Sequence, residues 1–328
     1  MSRLPPESAS EETLILEPRV TVVVTPRERF SCAHRSLASI RSGTTMPHRL
    51  LYVDAGAPTP VRRYLERERR RGGLELLRAN APLPPNSARN LALREVDTEY
   101  VALVENDVLF CRGWLEPLVR CADETGAWVV GPLYLAGEPE AGVIHMAGGE
   151  LSIFEADGKR RLHDEDRLGG ARLADVEGQL ERAPTEHLEF HAVLVRTDAF
   201  RHLGALDERL LCVREHEDFC LSVMAAGGQL YMEPEARVAF QPPPPVTVWD
   251  AGFFLRRWSP SWVESSLDHF HRKWRLDVQL DDPGLSWMWE RRRLVLRQFR
   301  RRVGIRSVLG PFPEINAPSG RPGGTRAS

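Results

Sequence analysis

The sequence predicts an α/β protein whose mostly parallel, Rossmann-like central sheet is flanked by helices and followed by a C-terminal helical extension. First, short apolar runs alternate with segments of helical periodicity up to residue 131, as in doubly wound sheets. Second, the apolar run 101–104 ends in acidic residues, a pattern typical of the ligand-binding edge of such sheets. Third, the composition is 42% hydrophobic and 27% charged, which fits a globular chain.

The individual elements follow from local patterns. Apolar runs predict strands at 20–25, 49–54, 74–78, 99–105 and 127–131. Helices are predicted between them at 31–41, 59–71, 86–96 and 113–125, and Asn86 or Ser87 is expected to cap the third of these. Residues 137–185 are polar and Gly-rich, which predicts irregular strands and a mobile loop. Further strands are expected at 188–197, 229–232 and 237–240, and further helices at 215–226, 259–273 and 285–303.

Composition shifts along the chain predict its domain organisation. The Ser-, Glu- and Pro-rich segment 1–18 and the Pro- and Gly-rich segment 311–328 are expected to be disordered tails. One domain is expected over 19–245, with its halves at about 19–131 and 132–245. The four consecutive prolines 242–245 then form a stiff break before the helical extension 246–310.

Bulk properties exclude several classes of protein. A net charge of −2 gives no indication of nucleic-acid binding. No apolar stretch approaches the roughly 18–20 residues of a membrane span, and the first residues lack the apolar core of a secretory signal. The five cysteines contain no Cys-x-x-Cys pair, which argues for free thiols in a reducing cytoplasm and against structural zinc.

Acidic residues that follow buried strands are the first candidate site. Glu105 and Asp107 stand one residue apart just past a buried strand, where carboxylates can hold a hard divalent cation that also touches phosphates. This pattern indicates a nucleotide-diphosphate site, and its alternative is a polar turn. Asp54 likewise ends the second strand, where it could contact a ribose or a base, or cap the turn. Arg89 at the start of a helix could face a phosphate or form a surface ion pair.

Seven short motifs occur in an order typical of one enzyme family. They lie at 20–26, 53–56, 86–90, 105–107, 113–115, 196–208 and 215–221. In the same order these are a strand with a Pro turn, a Val-Asp turn, an Ala-Arg-Asn helix start, a D-x-D-like triplet, Gly-Trp-Leu, an Arg-x-x-x-Phe…Gly-x-Leu-Asp-Glu segment and a Glu-Asp helix. Between about Arg19 and Phe240 the chain thus resembles glycosyltransferase family 2, whose fold is called GT-A.

The resemblance implies a role for each matching residue on the donor side. Thr25, Pro26 and Arg27 would line the nucleotide pocket, and Asp54 would contact the base or ribose. Asp107 would bind the Mg²⁺ or Mn²⁺ that bridges the diphosphate. Glu105 would support that ion or touch the ribose, beside Asn106 in the same triplet.

On the acceptor side the resemblance implies an inverting transfer to a hydroxyl group. Asp218 would be the general base that removes the hydroxyl proton, and Glu217 would shape the acceptor side. Alternatively, both acids could have a structural role in the first turn of a helix, where their interaction with the helix dipole would stabilise the helix by roughly 0.3–1 kcal/mol. The acceptor is expected in a cell-surface polysaccharide or a glycolipid.

Three departures from the family pattern motivate a second interpretation. The metal triplet begins with Glu105 instead of Asp, Ala55 replaces the second acid of the Val-Asp turn, and Phe240-Gln241 stands where many members have a histidine. The alternative is therefore a catalytically drifted relative that binds a nucleotide sugar or a glycan. A sugar nucleotidyltransferase would need a Gly-rich loop after the first strand, and residues 25–31 contain no glycine.

Several histidines and tryptophans are further candidates. His145 lies in a segment that resembles one near the acceptor in some family members, and His187 and His191 flank the strand before the Glu-Asp helix. Each of the three could have a direct or a structural role. Six tryptophans after residue 245 could stack on sugar rings or bury a helical subdomain against the core.

Two helices are rich in arginine. The arginines of 59–71 could bind an anion or pair with Glu66 and Glu68. Helix 290–303 is basic and amphipathic, so it could lie on the inner face of a membrane near a lipid-linked acceptor, or dock on the protein with a solvated face. The expected location is cytoplasmic, with this peripheral contact as the alternative.

Overall fold

The computed structural model describes residues 17–243, 245–277 and 282–303. Its strands are β1 Val20–Thr25, β2 His48–Asp54, β3 Glu75–Arg78, β4 Tyr100–Glu105, β5 Val108–Phe110, β6 Val129–Ala136, β7 Ile144–Met146, β8 Gly149–Ala156, β9 Lys159–Asp166, β10 Ala183–Thr185, β11 Ala192–Arg196 and β12 Leu230–Phe240. Its helices are α1 Ala33–Gly43, α2 Thr59–Arg70, α3 Pro85–Leu93, α4 Leu115–Thr125, α5 Leu173–Val176, α6 Phe200–Leu203, α7 Glu215–Ala225, α8 Ala251–Arg257, α9 Pro260–Trp274 and α10 Pro283–Val303. The predicted tails 1–18 and 311–328 lie outside the described residues, except for residues 17 and 18.

Ten strands form one twisted sheet at the centre of the molecule, so the predicted α/β class is confirmed. The order is β10-β12-β6-β11-β4-β1-β2-β3, with β5 paired to β12 and β7 paired to β6. β1, β2, β3 and β4 pair in parallel, and β11 enters antiparallel between β4 and β6. β1 and β4 are buried along their whole length because helices cover both faces, which explains their continuous apolar sequences.

The expectation of irregular structure over 137–185 is wrong for its central part. β8 and β9 form a regular two-stranded hairpin with eight residue pairs. Asp157 and Gly158 make the connecting turn with φ angles of 53° and 67°, the left-handed values that a tight hairpin of this kind requires. The Asp-Gly pair was the signal for this hairpin, and the strongly charged sequence of β9 concealed it.

Three smaller expectations also differ from the structure. The two strands predicted at 229–232 and 237–240 are one strand, β12, with a bulge between Glu233 and Arg237. Helix α8 and the short strand β5 were not predicted. Helix α3 has no side-chain cap, because it begins at Pro85, whose fixed φ suits the first helical turn; Asn86 and Ser87 bond instead to Asp207 and Glu208.

The C-terminal helices pack around a hydrophobic cluster of their own. It contains Cys212, Val213, Val246, Phe254, Trp258, Val263, Leu267, Met288 and Val295. The tryptophans of this region differ in exposure: Trp258 is buried, whereas Trp249, Trp287 and Trp289 are exposed. Across the three described ranges, every helix is too short or too polar to cross a bilayer.

Candidate functional site

The carboxyl ends of β1, β2 and β4 meet at one edge of the sheet, and Asn106 connects them. Its backbone N–H donates to the Thr25 carbonyl at 3.0 Å, and its side-chain oxygen accepts from the Arg27 backbone N–H at 3.2 Å. Its amide also donates to the Tyr52 hydroxyl at 3.3 Å. The structure therefore brings Thr25, Pro26, Arg27 and Asn106 together, all of them buried.

Asp107 is a buried carboxylate without a partner. It is 0% exposed, and neither of its oxygens accepts a hydrogen bond from any residue that the structure describes. Burial raises the pKa of Asp107 to about 6, although Arg27 acts in the opposite direction. An uncompensated buried charge is costly, so these oxygens suit a bound cation.

Glu105, by contrast, is fully engaged by protein cations. Its Oε1 accepts from Arg89 Nη2 at 2.9 Å, and its Oε2 lies 2.8 Å from His191 Nδ1 and 3.0 Å from Arg27 Nε. Burial would raise the pKa of Glu105, but Arg27, His191 and Arg89 together hold it well below its usual range. The predicted metal ligands thus differ, because Asp107 is free for a cation and Glu105 is already neutralised.

Arg89 and Asp54 each had two possible roles from the sequence, a nucleotide contact or a structural contact, and the structure shows a structural contact for both. Arg89 is 1% exposed, lies 4.0 Å over the Phe190 ring and bonds to Glu105, so its ion pair is a buried one. Asp54 accepts from the Ala57 backbone N–H at 2.8 Å and therefore caps the turn after β2. Their nucleotide contacts stay predictions.

A cavity of about 540 Å³ lies next to this edge, beneath the β8–β9 hairpin and helix α10. Its lining is dominated by ionisable side chains of both signs. The basic ones are Arg27, Arg214, Arg257, Arg291, His145, His163, His187, His191, His216 and His271. The acidic ones are Asp164, Asp166, Glu189, Glu217, Asp277 and Asp282. Such a lining suits a polar, multiply charged ligand.

The two acids predicted for the acceptor side lie at the start of α7 but face different surroundings. Asp218 Oδ2 accepts from Lys273 Nζ at 2.7 Å and Oδ1 from Trp274 Nε1 at 2.8 Å. Burial raises the pKa of Asp218, and Lys273 lowers it. Glu217 lines the cavity; its Oε1 accepts from Arg214 Nη1 at 2.8 Å, and its Oε2 has no hydrogen-bond partner among the described residues.

Arg214 positions this helix start. Its φ of 66° is the left-handed conformation at the N-cap of α7, an uncommon one for a residue with a side chain. The guanidinium also pairs with Asp164 and Asp282, so it links α7 to the hairpin and to the segment before α10. Arg214 and Arg257 were not predicted as cavity residues, because a single arginine carries no local signal in the sequence.

Known proteins similar to this chain agree with the fold. Residues 21–176 match the model of glycosyl transferase family 2. Pre-mycofactocin glycosyltransferases from two Mycobacterium tuberculosis strains are 29% identical over 223 residues, which cover 67% of this chain and 42% of each relative. The chain thus spans less than half the length of the curated relatives it matches.

Solved structures share the GT-A architecture. The crystal structure of GalNAc-T7 with UDP, GalNAc and Mn²⁺ has a TM-score of 0.55 at 13% identity, covering 88% of this chain and 57% of that one. S. aureus TarS 1–349 has a TM-score of 0.51 at 13% identity, covering 87% and 72%. Its complex with UDP-GlcNAc has a TM-score of 0.52 at 13% identity, covering 87% and 73%.

Proposed function

We propose, from the premise that residues 21–176 belong to glycosyl transferase family 2, that the chain transfers a sugar from a nucleotide-diphosphate sugar to an acceptor hydroxyl. The observation that carries this proposal is the buried, unpartnered carboxylate of Asp107 at the carboxyl end of β4, beside a cavity lined by charged side chains. GalNAc-T7 was solved with UDP and TarS with UDP-GlcNAc, so UDP-sugars are the first donors to test.

The cavity cations are suited to the negative charge that develops on the leaving diphosphate. Arg27, Arg257 and Arg291 each carry a buried guanidinium nitrogen without a hydrogen-bond partner among the described residues. Preorganised donors of this kind stabilise a leaving group without reorganising during the reaction. We propose that Arg27 and Arg257 contact the diphosphate, while Thr25, Pro26, Asn106 and Asp54 bind the nucleoside.

The site also fits a divalent ion, Mg²⁺ or Mn²⁺, at Asp107. The fit rests on the two unpartnered oxygens of Asp107, whereas the ion pairs of Glu105 leave it a supporting role next to the ligand. When bound there, such an ion acts as a Lewis acid toward the diphosphate. The presence of Mn²⁺ in the GalNAc-T7 structure supports the proposal.

For the proton of the acceptor hydroxyl, the geometry favours Glu217 over the residue that the motif indicates. A general base must reach the acceptor and keep a free lone pair. Glu217 lines the cavity and has an unpartnered Oε2, while both oxygens of Asp218 are occupied by Lys273 and Trp274. We therefore propose that Glu217 accepts the proton and that Asp218 anchors α7. A single base opposite the leaving group inverts the anomeric centre.

The acceptor is proposed to be a polysaccharide or a glycolipid, and the location cytoplasmic. All five cysteines are free thiols, in agreement with a reducing compartment. Val295 of α10 packs into the C-terminal cluster while Leu296 and Trp289 are exposed. A peripheral contact of α10 with an anionic membrane would therefore use its exposed residues, since part of its apolar face is already buried.

The engagement of Glu105 and Asp218 by protein cations also favours a second candidate, a relative that binds a nucleotide sugar without turnover. A thermal-shift screen of nucleoside diphosphates and nucleotide sugars, with and without Mn²⁺, tests binding first. A bound ligand at about a hundredfold excess over its Kd adds about 2.7 kcal/mol of stability. The transferase is supported if one nucleotide sugar stabilises the protein only in the presence of Mn²⁺ and the protein then releases nucleoside diphosphate from it. Stabilisation without release supports the binding relative.

A further inference from the structure

Two histidines and a glutamate converge at the wall of the cavity, outside the triplet that contains Asp107. His145 lies in β7, and Glu189 and His191 immediately precede β11. The ligand atoms of all three lie within 4.8 Å of one another. Glu189 Oε2 is 2.7 Å from His145 Nε2 and 2.9 Å from His191 Nε2, so two imidazole nitrogens point at one carboxylate oxygen.

The second ring nitrogen of His191 has a fixed partner. Its Nδ1 lies 2.8 Å from Glu105 Oε2, and Glu105 is held in turn by Arg89 and Arg27. An imidazole that donates from Nδ1 to a carboxylate presents a lone pair at Nε2, which is the usual arrangement behind a metal-bound histidine. This Nε2 belongs to a ring that is 1% exposed, and it lies 2.9 Å from Glu189 Oε2.

Packing fixes the His191 ring in this orientation. Phe240 stacks on it with ring centroids 4.2 Å apart and an interplanar angle of 14°. All three side chains of the cluster also line the 540 Å³ cavity, so a small ion can reach them from the same space as a ligand. A rigid donor set with access from one side is a suitable cation site.

From this geometry we propose that His145, Glu189 and His191 form a binding site for a borderline transition-metal ion such as Zn²⁺ or Co²⁺. Two imidazoles and one carboxylate favour these ions over Mg²⁺, which prefers oxygen ligands. Three protein ligands leave further coordination positions open toward the cavity.

The site is tested by titrating the full-length, chelator-treated protein with Co²⁺ and following its visible absorption, without nucleotide or sugar. Zn²⁺ is then used to displace Co²⁺, and Mg²⁺ serves as the weak competitor. His145→Ala and Glu189→Gln are each expected to weaken Co²⁺ binding by about 100-fold or more, and Glu105→Gln by about 10–100-fold. The matched control is His163→Ala, which removes an imidazole of the same cavity outside the cluster.

Each other outcome overturns the proposal. Equal Co²⁺ affinity in wild type and in folded His145→Ala or Glu189→Gln would exclude these ligands. Loss of binding in Asp166→Asn alone would assign the ion to the neighbouring cluster of Asp164, Asp166 and His187. Loss in Asp107→Asn alone would assign it to the site proposed for the diphosphate. Because no donor is present, failure of sugar transfer leaves this result unaffected.

Discussion

Replacing Asp107 by Asn is expected to stabilise the ligand-free protein while removing its metal-dependent nucleotide binding. The carboxylate is fully buried and has no hydrogen-bond partner among the described residues, and its pKa rises from 3.8 to about 6. A raised pKa in an acid means that the folded state binds its proton more tightly than the unfolded state does. Stability is therefore lost as the pH rises from the unfolded toward the folded pKa, and the full cost is present above pH 6.

The shift in the pKa of Asp107 sets the size of this effect. It corresponds to a cost on the order of 3 kcal/mol at pH 8 and about half of that at pH 5. Asparagine carries no charge and nearly the same shape, so Asp107→Asn is expected to recover most of this free energy. For a chain of 328 residues, about 1 kcal/mol shifts the melting temperature by about 1.5 °C, so it should rise by roughly 4–5 °C at pH 8.

Chemical denaturation of wild type and Asp107→Asn at pH 8 and pH 5 measures the difference directly. The exposed Asp175 provides the control, since Asp175→Asn should change the free energy of unfolding little at either pH. A less stable Asp107→Asn variant, or a gain that is the same at both pH values, would refute the reasoning. A companion titration with UDP and Mn²⁺ should show binding to wild type and none to Asp107→Asn.

Three further predictions concern other parts of the site. Glu217→Gln should lower kcat by about 10²–10⁴-fold with donor affinity retained, while Asp218→Asn should act mainly on stability; the opposite pattern in steady-state kinetics would restore Asp218 as the base. Arg89→Met should lower the free energy of unfolding by about 3–5 kcal/mol, because Glu105 loses a buried partner, and an unchanged denaturation midpoint would contradict this. Removing residues 290–303 should reduce co-sedimentation of the protein with anionic vesicles. Equally strong binding of the intact protein to neutral vesicles would argue against a role of the basic helix.

The sheet was predictable because each strand in the first half is a short apolar run between helical segments. The same patterns indicated Asp54, Glu105 and Asp107, since polar residues after parallel strands reach one edge, whereas Thr25 and Asn106 were implied by the family resemblance. The ion pairs of Glu105 were not predictable, because they involve cationic side chains that are distant from it in the chain.

The acceptor half was harder to predict for the same reason. The cavity joins α7, a hairpin and the C-terminal helices, which only the tertiary structure brings together. The difference between Glu217 and Asp218 depends on Lys273 and Trp274, over 50 residues away along the chain. The grouping of His145 with Glu189 and His191 likewise requires the three-dimensional arrangement of β7 and β11.

The most direct test of the central claim is the release of nucleoside diphosphate from a panel of nucleotide sugars, followed by NMR of the sugar product. The wild-type protein with Mn²⁺ is expected to consume one donor and to form a product of inverted anomeric configuration. Asp107→Asn, which should be folded and more stable, is expected to be inactive. A folded wild-type protein that neither binds nor consumes any donor, or a fully active Asp107→Asn, would contradict the account.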